Sequence, residues 1–460
     1  MNQEVLLLAC YELGHQPLSL AWPLAFLRQH SIDAAAVDLA VSQFPAERAK
    51  EAKFIGIAVP MHTALRLGVR VAQQIRYLNP TAHICFYGMY AWLNADYLLG
   101  EEPAVADSVV AGEVERPLSQ LIQRVLKQEP ISGIPSVSTT AERHEPHLER
   151  LSFPIPIRDN LPDLAQYAHY VADDSAQVAG YTEASRGCLH RCVHCPVVPV
   201  YNGRFFIVPV DVVMADIEQQ VAAGAQHITF GDPDFLNGPG HALKVARALH
   251  ERFPKLTFDF TTKVEHIIKH HSLFPEFKQL GASFIISAFE STSDVVLYKL
   301  NKGHTVADLD LALDILAEAN LPVHPTLVAF TPWTTLEDYI DLLLWIRERS
   351  LVHHIPAVQL SIRLLVPPGS AFLQEPNAHM WLGSLNAANF TYRWQHPDPR
   401  MDELQEAVTS LAEQASSNPL ATFAAIERLA YNLAKRPILN WLPPPLPHIT
   451  PPRLTENWYC

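Results

Sequence analysis

Three of the six cysteines fall within one short loop, Ser185-Arg-Gly-Cys188-Leu-His-Arg-Cys192-Val-His-Cys195-Pro196, and this loop constrains the chain more than any other feature. Spacings of three and then two residues turn three thiolates toward one point. That suits an iron-sulfur cluster better than a tetrahedral zinc site, which needs four protein ligands. A four-iron cluster held by three cysteines leaves one iron open to chelate a substrate or cofactor. The alternatives are three structural cysteines or part of a zinc knuckle, but no second Cys-x2-Cys pair stands nearby to complete a zinc site.

The 460 residues exceed what one core organises and predict more than one domain. With 48% hydrophobic and 18% charged residues the chain buries sizeable cores. A net charge of -14 argues against a broad nucleic-acid surface, so no nucleic-acid partner is expected. The N-terminal run Val5 to Cys10 lacks a positive flank and is too short for a signal peptide or a membrane span. A cytoplasmic protein with no membrane partner is expected. Few cysteines, half of them in one loop, fit a reducing compartment and imply no disulfide framework.

Residues 1–127 read as alternating strands and helices. Val5 to Ala9, Ala34 to Asp38, Phe54 to Val59, Ile84 to Tyr87 and Ser108 to Ala111 are strand candidates. Helical patterns run from Leu18 to Gln29, Ala64 to Tyr77, Leu93 to Leu99 and Pro117 to Lys127. This alternation implies a parallel, Rossmann-like sheet whose ligands bind at the carboxyl ends of the strands. No Gly-x-Gly-x-x-Gly follows the first strand, which disfavours a dinucleotide. Residues 128–180, rich in Pro, Ser and charge, read as a connector.

A second alternating series spans 181–370, with the cysteine loop after its first strand. Its further strands are expected at His227 to Phe230, Thr257 to Thr261, Ser283 to Ala288, Val323 to Ala329 and Val358 to Arg363, separated by helices. This predicts a partial (β/α)6 barrel with its chemistry at the carboxyl end. Trp333, in a loop at that end, is a substrate-contact candidate. Lys263 and Glu265 are read as sharing one face at the end of a strand, where they form either a paired acid and base or a structural ion pair. Residues 371–435 read as a small helical cap and 436–460 as a proline-stiffened tail ending in Cys460.

The Cys188-x3-Cys192-x2-Cys195 loop after a first strand, within this strand and helix order, resembles the radical S-adenosylmethionine (SAM) superfamily. The resemblance implies that Cys188, Cys192 and Cys195 bind three irons of a four-iron four-sulfur cluster while SAM chelates the fourth. His194 stands where the family commonly has an aromatic residue, and Gly231-Asp232-Pro233 stands where it has a Gly-Gly-Glu-Pro-like turn meeting the SAM amino group. By the same resemblance Ser287 and Glu290 fall at ribose and carboxylate contacts. Arg363 and the turn containing Pro368 fall where adenine rests.

The N-terminal order, including Gly14-His-Gln-Pro17, Val37-Asp38 and Ala106 to Glu113, resembles the cobalamin-binding domain that precedes many radical SAM enzymes. The Asp-x-His-x-x-Gly loop that supplies a histidine to cobalt is absent, and His15 and His62 sit at the wrong spacing to replace it. More narrowly, the tail, Cys195 to Arg204 and Gly231 to His241 resemble radical SAM proteins that end in Cys-Cys-Ala-Glu-Pro or Cys-Sec-Ala-Glu-Pro. That likeness implies a selenocysteine after Cys460, whose thiol would be a redox partner, a metal or metalloid ligand, or a methyl acceptor.

The implied function is a cobalamin-dependent methyltransferase that cleaves SAM reductively and acts on a small molecule or peptide, with a reductase, flavodoxin or ferredoxin as electron donor. The alternatives are transfer of another SAM-derived group, such as aminocarboxypropyl, to a heteroatom, or a non-catalytic cobalamin or iron-sulfur sensor.

Overall fold

The structure, a computed structural model, describes residues 4–100, 104–173, 175–414, 418–437 and 451–456. In the N-terminal unit, strands β1 (Val5–Ala9), β2 (Ala34–Asp38), β3 (Phe54–Ala58), β4 (His83–Tyr87) and β5 (Ser108–Val110) alternate with helices. The helices are α1 (Leu18–Gln29), α2 (Ala46–Glu51), α3 (His62–Leu78), α4 (Met89–Leu93), α5 (Ala95–Gly100) and α6 (Glu115–Lys127). The strands read as unbroken apolar runs because both faces of the sheet are buried. Leu6, Leu8, Ile55 and Ile57 pack into one core, while Val5, Leu7, Phe54 and Tyr87 pack into the other.

The sheet order is β2-β1-β3-β4-β5-β6, with β6 (Val137–Thr139) antiparallel at the edge. The order reverses at β1, so the loops after β1 and β3 splay apart and open a crevice at the carboxyl end. The connector is more structured than its composition suggests. It contributes β6, and it also contains β7 (His169–Ala172) and the start of β8 (Ser175–Thr182). Such short strands are stabilised by partners distant in sequence, which leaves little local signal.

The second unit is a curled sheet of order β14-β13-β12-β11-β8-β7-β17. After β8 come the small antiparallel pair β9 (Ser185–Gly187) and β10 (Phe205–Ile207), with α7 (Val197–Tyr201) between them. The parallel series is β8, β11 (His227–Phe230), β12 (Thr257–Thr262), β13 (Ala282–Glu290) and β14 (Val323–Leu327). Helices α8 (Val210–Ala222), α9 (Pro239–Arg252), α10 (Val264–Lys269), α11 (Phe274–Gln279), α12 (Asp294–Lys299), α13 (Val306–Glu318) and α14 (Leu336–Glu348) accompany them. This is the expected partial barrel. Its last expected strand, Val358 to Arg363, is instead a 3-10 turn over Ala357–Leu360 followed by a single bridge, Phe330 to Arg363. The apolar alternation there imitates a strand, but Pro356 opens a turn that the Ser361 hydroxyl closes by donating to the Val358 carbonyl.

The cap consists of the hairpin β15 (Leu382–Asn386) and β16 (Thr391–Trp394) with the helices α15 (Pro399–Glu413) and α16 (Pro419–Leu433). The described part of the tail forms β17 (Arg453–Leu454), which pairs antiparallel with β7. At the opposite end of the curled sheet, His324 Nε2 in β14 lies 2.7 Å from the Pro452 carbonyl. The tail thus spans the gap between the sheet's two ends. No helix among the described residues is long and apolar enough to cross a membrane.

Candidate active site

Two buried arginines join the units. Arg158 donates to both oxygens of Asp216 (2.6 and 2.8 Å), to Gln16 Oε1 (2.8 Å) and to the Tyr181 carbonyl (2.7 Å). Arg186, two residues before Cys188, pairs with Glu113, Glu115 and Glu183 at 3.0, 2.6 and 2.6 Å. Its guanidinium lies 5.2 and 5.0 Å from the ring centroids of Trp22 and Phe153. Burial pushes the Glu113 carboxyl up to about 7 against the opposing pull of Arg186. The cysteine loop is therefore bolted to the N-terminal unit at its base.

The loop itself is held by backbone bonds that its own sequence cannot supply. Cys188 N–H donates to Arg204 O, Val193 N–H to Leu300 O and Leu189 N–H to Asn237 Oδ1. Cys188, Cys192 and Cys195 are free thiols close enough to influence one another electrostatically. Burial raises Cys188 to about 11 and Cys195 to about 12, so these two bare thiols keep their protons at neutral pH. Three soft donors from one loop, with no fourth cysteine in it, are the donor set that a cluster held at three irons would need. Buried Lys302 lies among them, paired with Glu290 at 2.9 Å, and it supplies positive charge beside Cys192 and Cys195.

Some of the residues singled out from sequence gather around this loop. Glu290 ends β13 in a left-handed conformation (φ 65) and faces both Lys302 and His194, the latter at 3.4 Å. Burial alone would raise its carboxyl, but Lys302 and His194 hold it well below the usual range. Ser287 donates to the Thr262 carbonyl at 2.7 Å. Asp232 accepts from Ala184 N–H (2.8 Å) and from the Ser185 hydroxyl (2.5 Å), and burial lifts it to about 7. Its carboxylate thus fixes the segment leading into the cysteine loop. Gly231 is demanded by packing, since a Cβ there would lie 2.2 Å from the Tyr181 hydroxyl.

Others behave differently from the expectation. Lys263 and Glu265 do not end a strand: β12 stops at Thr262, Lys263 caps α10 and Glu265 lies in its first turn. They pair at 3.4 Å and face His190 from behind the cluster loop. Arg363 is tied to Asp402 (2.6 Å) and the Trp394 carbonyl (2.7 Å). Trp333 packs against Phe372 and Trp381. Cys460 lies outside the described residues.

A cavity of about 1830 Å³ opens between the units. Pro60 to Thr63 and Arg66, at the carboxyl end of β3, line one side, with Tyr90 beside them. Phe284, Ile286, His324 and Thr326 of β13 and β14 line another, and His194 and Pro196 bring in the cluster loop. Of the expected SAM contacts Arg363 lines this cavity, whereas Gly231, Asp232, Ser287, Glu290 and Pro368 lie outside its lining. The tail reaches the wall through Arg453 to Glu456. His62 also lines it, but its Nε2 is taken by the Asn389 carbonyl at 2.8 Å. His15 is engaged too, stacked on Tyr181 and 2.5 Å from Glu456. Sequence spacing offered no route to this cavity, because it is assembled from separate stretches of both units and the cap.

Comparison with known proteins agrees with this geometry. Residues 182–346 match the radical SAM superfamily. No curated protein matches in sequence. Among solved structures, the cobalamin-dependent S-adenosylmethionine radical enzyme OxsB with aqua-cobalamin bound is similar. It has a TM-score of 0.69 at 14% identity, covering 93% of this chain and 72% of that one. The radical S-adenosylmethionine methyltransferase TsrM from Kitasatospora setae gives a TM-score of 0.59 at 16% identity, covering 75% of this chain and 71% of that one. At such identities the likeness is one of fold. Residues 182–346 thus form a radical SAM superfamily domain.

Proposed function

We propose that this enzyme cleaves SAM reductively at a four-iron four-sulfur cluster held by Cys188, Cys192 and Cys195, and that it uses a corrinoid in the interdomain cavity to methylate a small molecule or peptide. The observation that carries the reading is the cavity. Its volume of about 1830 Å³ exceeds the ~300–1,000 Å³ of an ordinary ligand pocket. It joins the segments after β3 and β4 of the N-terminal sheet to the cysteine loop, which suits two cofactors and a substrate. OxsB with aqua-cobalamin bound and the methyltransferase TsrM share the fold. When bound, the cluster supplies an electron to SAM and the corrinoid carries a methyl group.

The chain's own residues hold these groups and exclude water. Arg186 and Asn237 fix the cluster loop, Lys302 offsets thiolate charge, and the apolar side chains of β13 and β14 dry the barrel wall. With the Nε2 atoms of His15 and His62 both occupied, the corrinoid's lower face is proposed to lack a histidine ligand. Anaerobic purification followed by iron and cobalt analysis, and by SAM cleavage under reduction, tests the reading. Iron with stoichiometric cobalt and 5'-deoxyadenosine supports it. Iron without cobalt removes the corrinoid, methylthioadenosine turns the reaction toward aminocarboxypropyl transfer, and an intact cluster that leaves SAM whole indicates a sensor.

A further inference from the structure

Asp234 is buried behind the cluster loop, its side chain 1% exposed. Its Oδ1 accepts from Leu236 N–H (3.0 Å) and from the Thr262 hydroxyl (2.8 Å), which fixes the carboxylate and leaves Oδ2 to face two imidazoles. His190, between Cys188 and Cys192, brings Nε2 to 3.2 Å of Oδ2, and His266 of α10 brings Nδ1 to 2.9 Å. The three atoms lie within 4.8 Å of one another.

These distances are short enough for hydrogen bonds, yet none of the three buried atoms makes one of good geometry. Three buried ligand-type atoms this close together could share one cation. A cation bonded to them at ~2.0–2.1 Å would hold its ligand atoms ~3–3.5 Å apart.

We propose that His190, Asp234 and His266 bind one divalent first-row transition metal, zinc or iron(II), as a two-histidine, one-carboxylate site with positions left for water. Nδ1 of His190 lies 3.7 Å from Glu265 Oε2 and 3.2 Å from Lys263 Nζ, and since an ammonium only donates, Nδ1 accepts from Lys263 in the metal-free protein. Coordination through Nε2 would shift the proton to Nδ1 and displace Lys263 toward Glu265. Glu265 is 44% exposed and free to move onto the Nδ1 proton, and it already pairs with Lys263. A carboxylate on the far nitrogen of a metal-bound imidazole fixes the tautomer and strengthens the ligand. Lys263 and Glu265 are then positioning residues of this site. The metal would also stiffen the segment that sets the separation of Cys188 from Cys192.

The test uses full-length holoenzyme, reconstituted anaerobically with iron and sulfide, equilibrated with zinc and desalted over a weak chelator. The wild type should retain one metal per chain beyond the cluster iron. His266→Ala should keep the cluster iron and its visible absorption while losing the additional metal, and His266→Cys should regain it. No additional metal in the wild type, or equal metal content in wild type and His266→Ala with the cluster intact, overturns the proposal. Should His266→Ala also shed its cluster, zinc X-ray absorption of the wild type decides. A nitrogen and oxygen shell supports the site, and sulfur ligation overturns it.

Discussion

Replacing Arg158 with methionine keeps most of its volume but withdraws the only cation paired with Asp216 among the described residues. The two side chains are 6% and 1% exposed, so the pair is fully desolvated. Asp216 would retain the Thr182 hydroxyl (2.7 Å) and Gln220 Nε2 (3.2 Å), two neutral donors in place of a bidentate guanidinium. Breaking a buried pair from one side costs ~3–5 kcal/mol, mostly the penalty of the stranded charge. The substitution also leaves Gln16 Oε1 and the Tyr181 carbonyl without this donor. Urea unfolding of the apoprotein, followed by tryptophan fluorescence, should show Arg158→Met losing ~3–5 kcal/mol. Asp216→Asn on that background removes the charge and should recover part of the loss. A loss below ~1 kcal/mol, or no recovery in the double variant, would refute the claim that this arginine fastens the two units.

Asp232 gives a pH dependence. Its folded pKa, about 7, lies above the ordinary 3.8, so the folded state holds a proton that the unfolded state releases. Its contribution is complete below pH ~4 and is lost as pH rises to about 7, at up to ~1.4 kcal/mol per unit. The stability difference between wild type and Asp232→Asn should therefore move by ~3 kcal/mol against wild type from pH 5 to pH 8, and a pH-independent difference would contradict this. Gly231→Ala forces a methyl into Tyr181 and should cost ~3 kcal/mol in the same unfolding assay, the upper end of overpacking penalties. Deleting residues 451–460 should speed amide exchange in β7 and β14 while β11 and β12 remain protected; unchanged protection at the sheet's ends would show that the tail holds nothing.

The alternating units were legible in the sequence because each buried strand carries its own apolar run. The cysteine loop was legible because its three thiols lie close together in sequence. Val358 to Arg363 misled because its apolar alternation reads as a strand, whereas the folded segment is a turn that buries Gln359, Leu360 and Ser361 in succession. Strands β6 and β7 escaped notice because their stability comes from β5 and β8, not from their own composition. Asp232 was expected at the turn that meets the SAM amino group, and sequence could not show that its oxygens turn back onto Ala184 and Ser185. His190, Asp234 and His266 come from a loop, a turn and a helix far apart in the chain, so only folding brings them together.

The tail strand also has a bearing on the order of assembly. Every other strand of the barrel sheet is synthesised before Arg453 and Leu454, so the edge of β7 and the ring of His324 await their partners while the rest of the sheet already exists. During that interval the cavity has a side door as well as its mouth. In the finished protein, opening that side would require only the local peeling of a two-residue strand, leaving the parallel strands of the barrel in place.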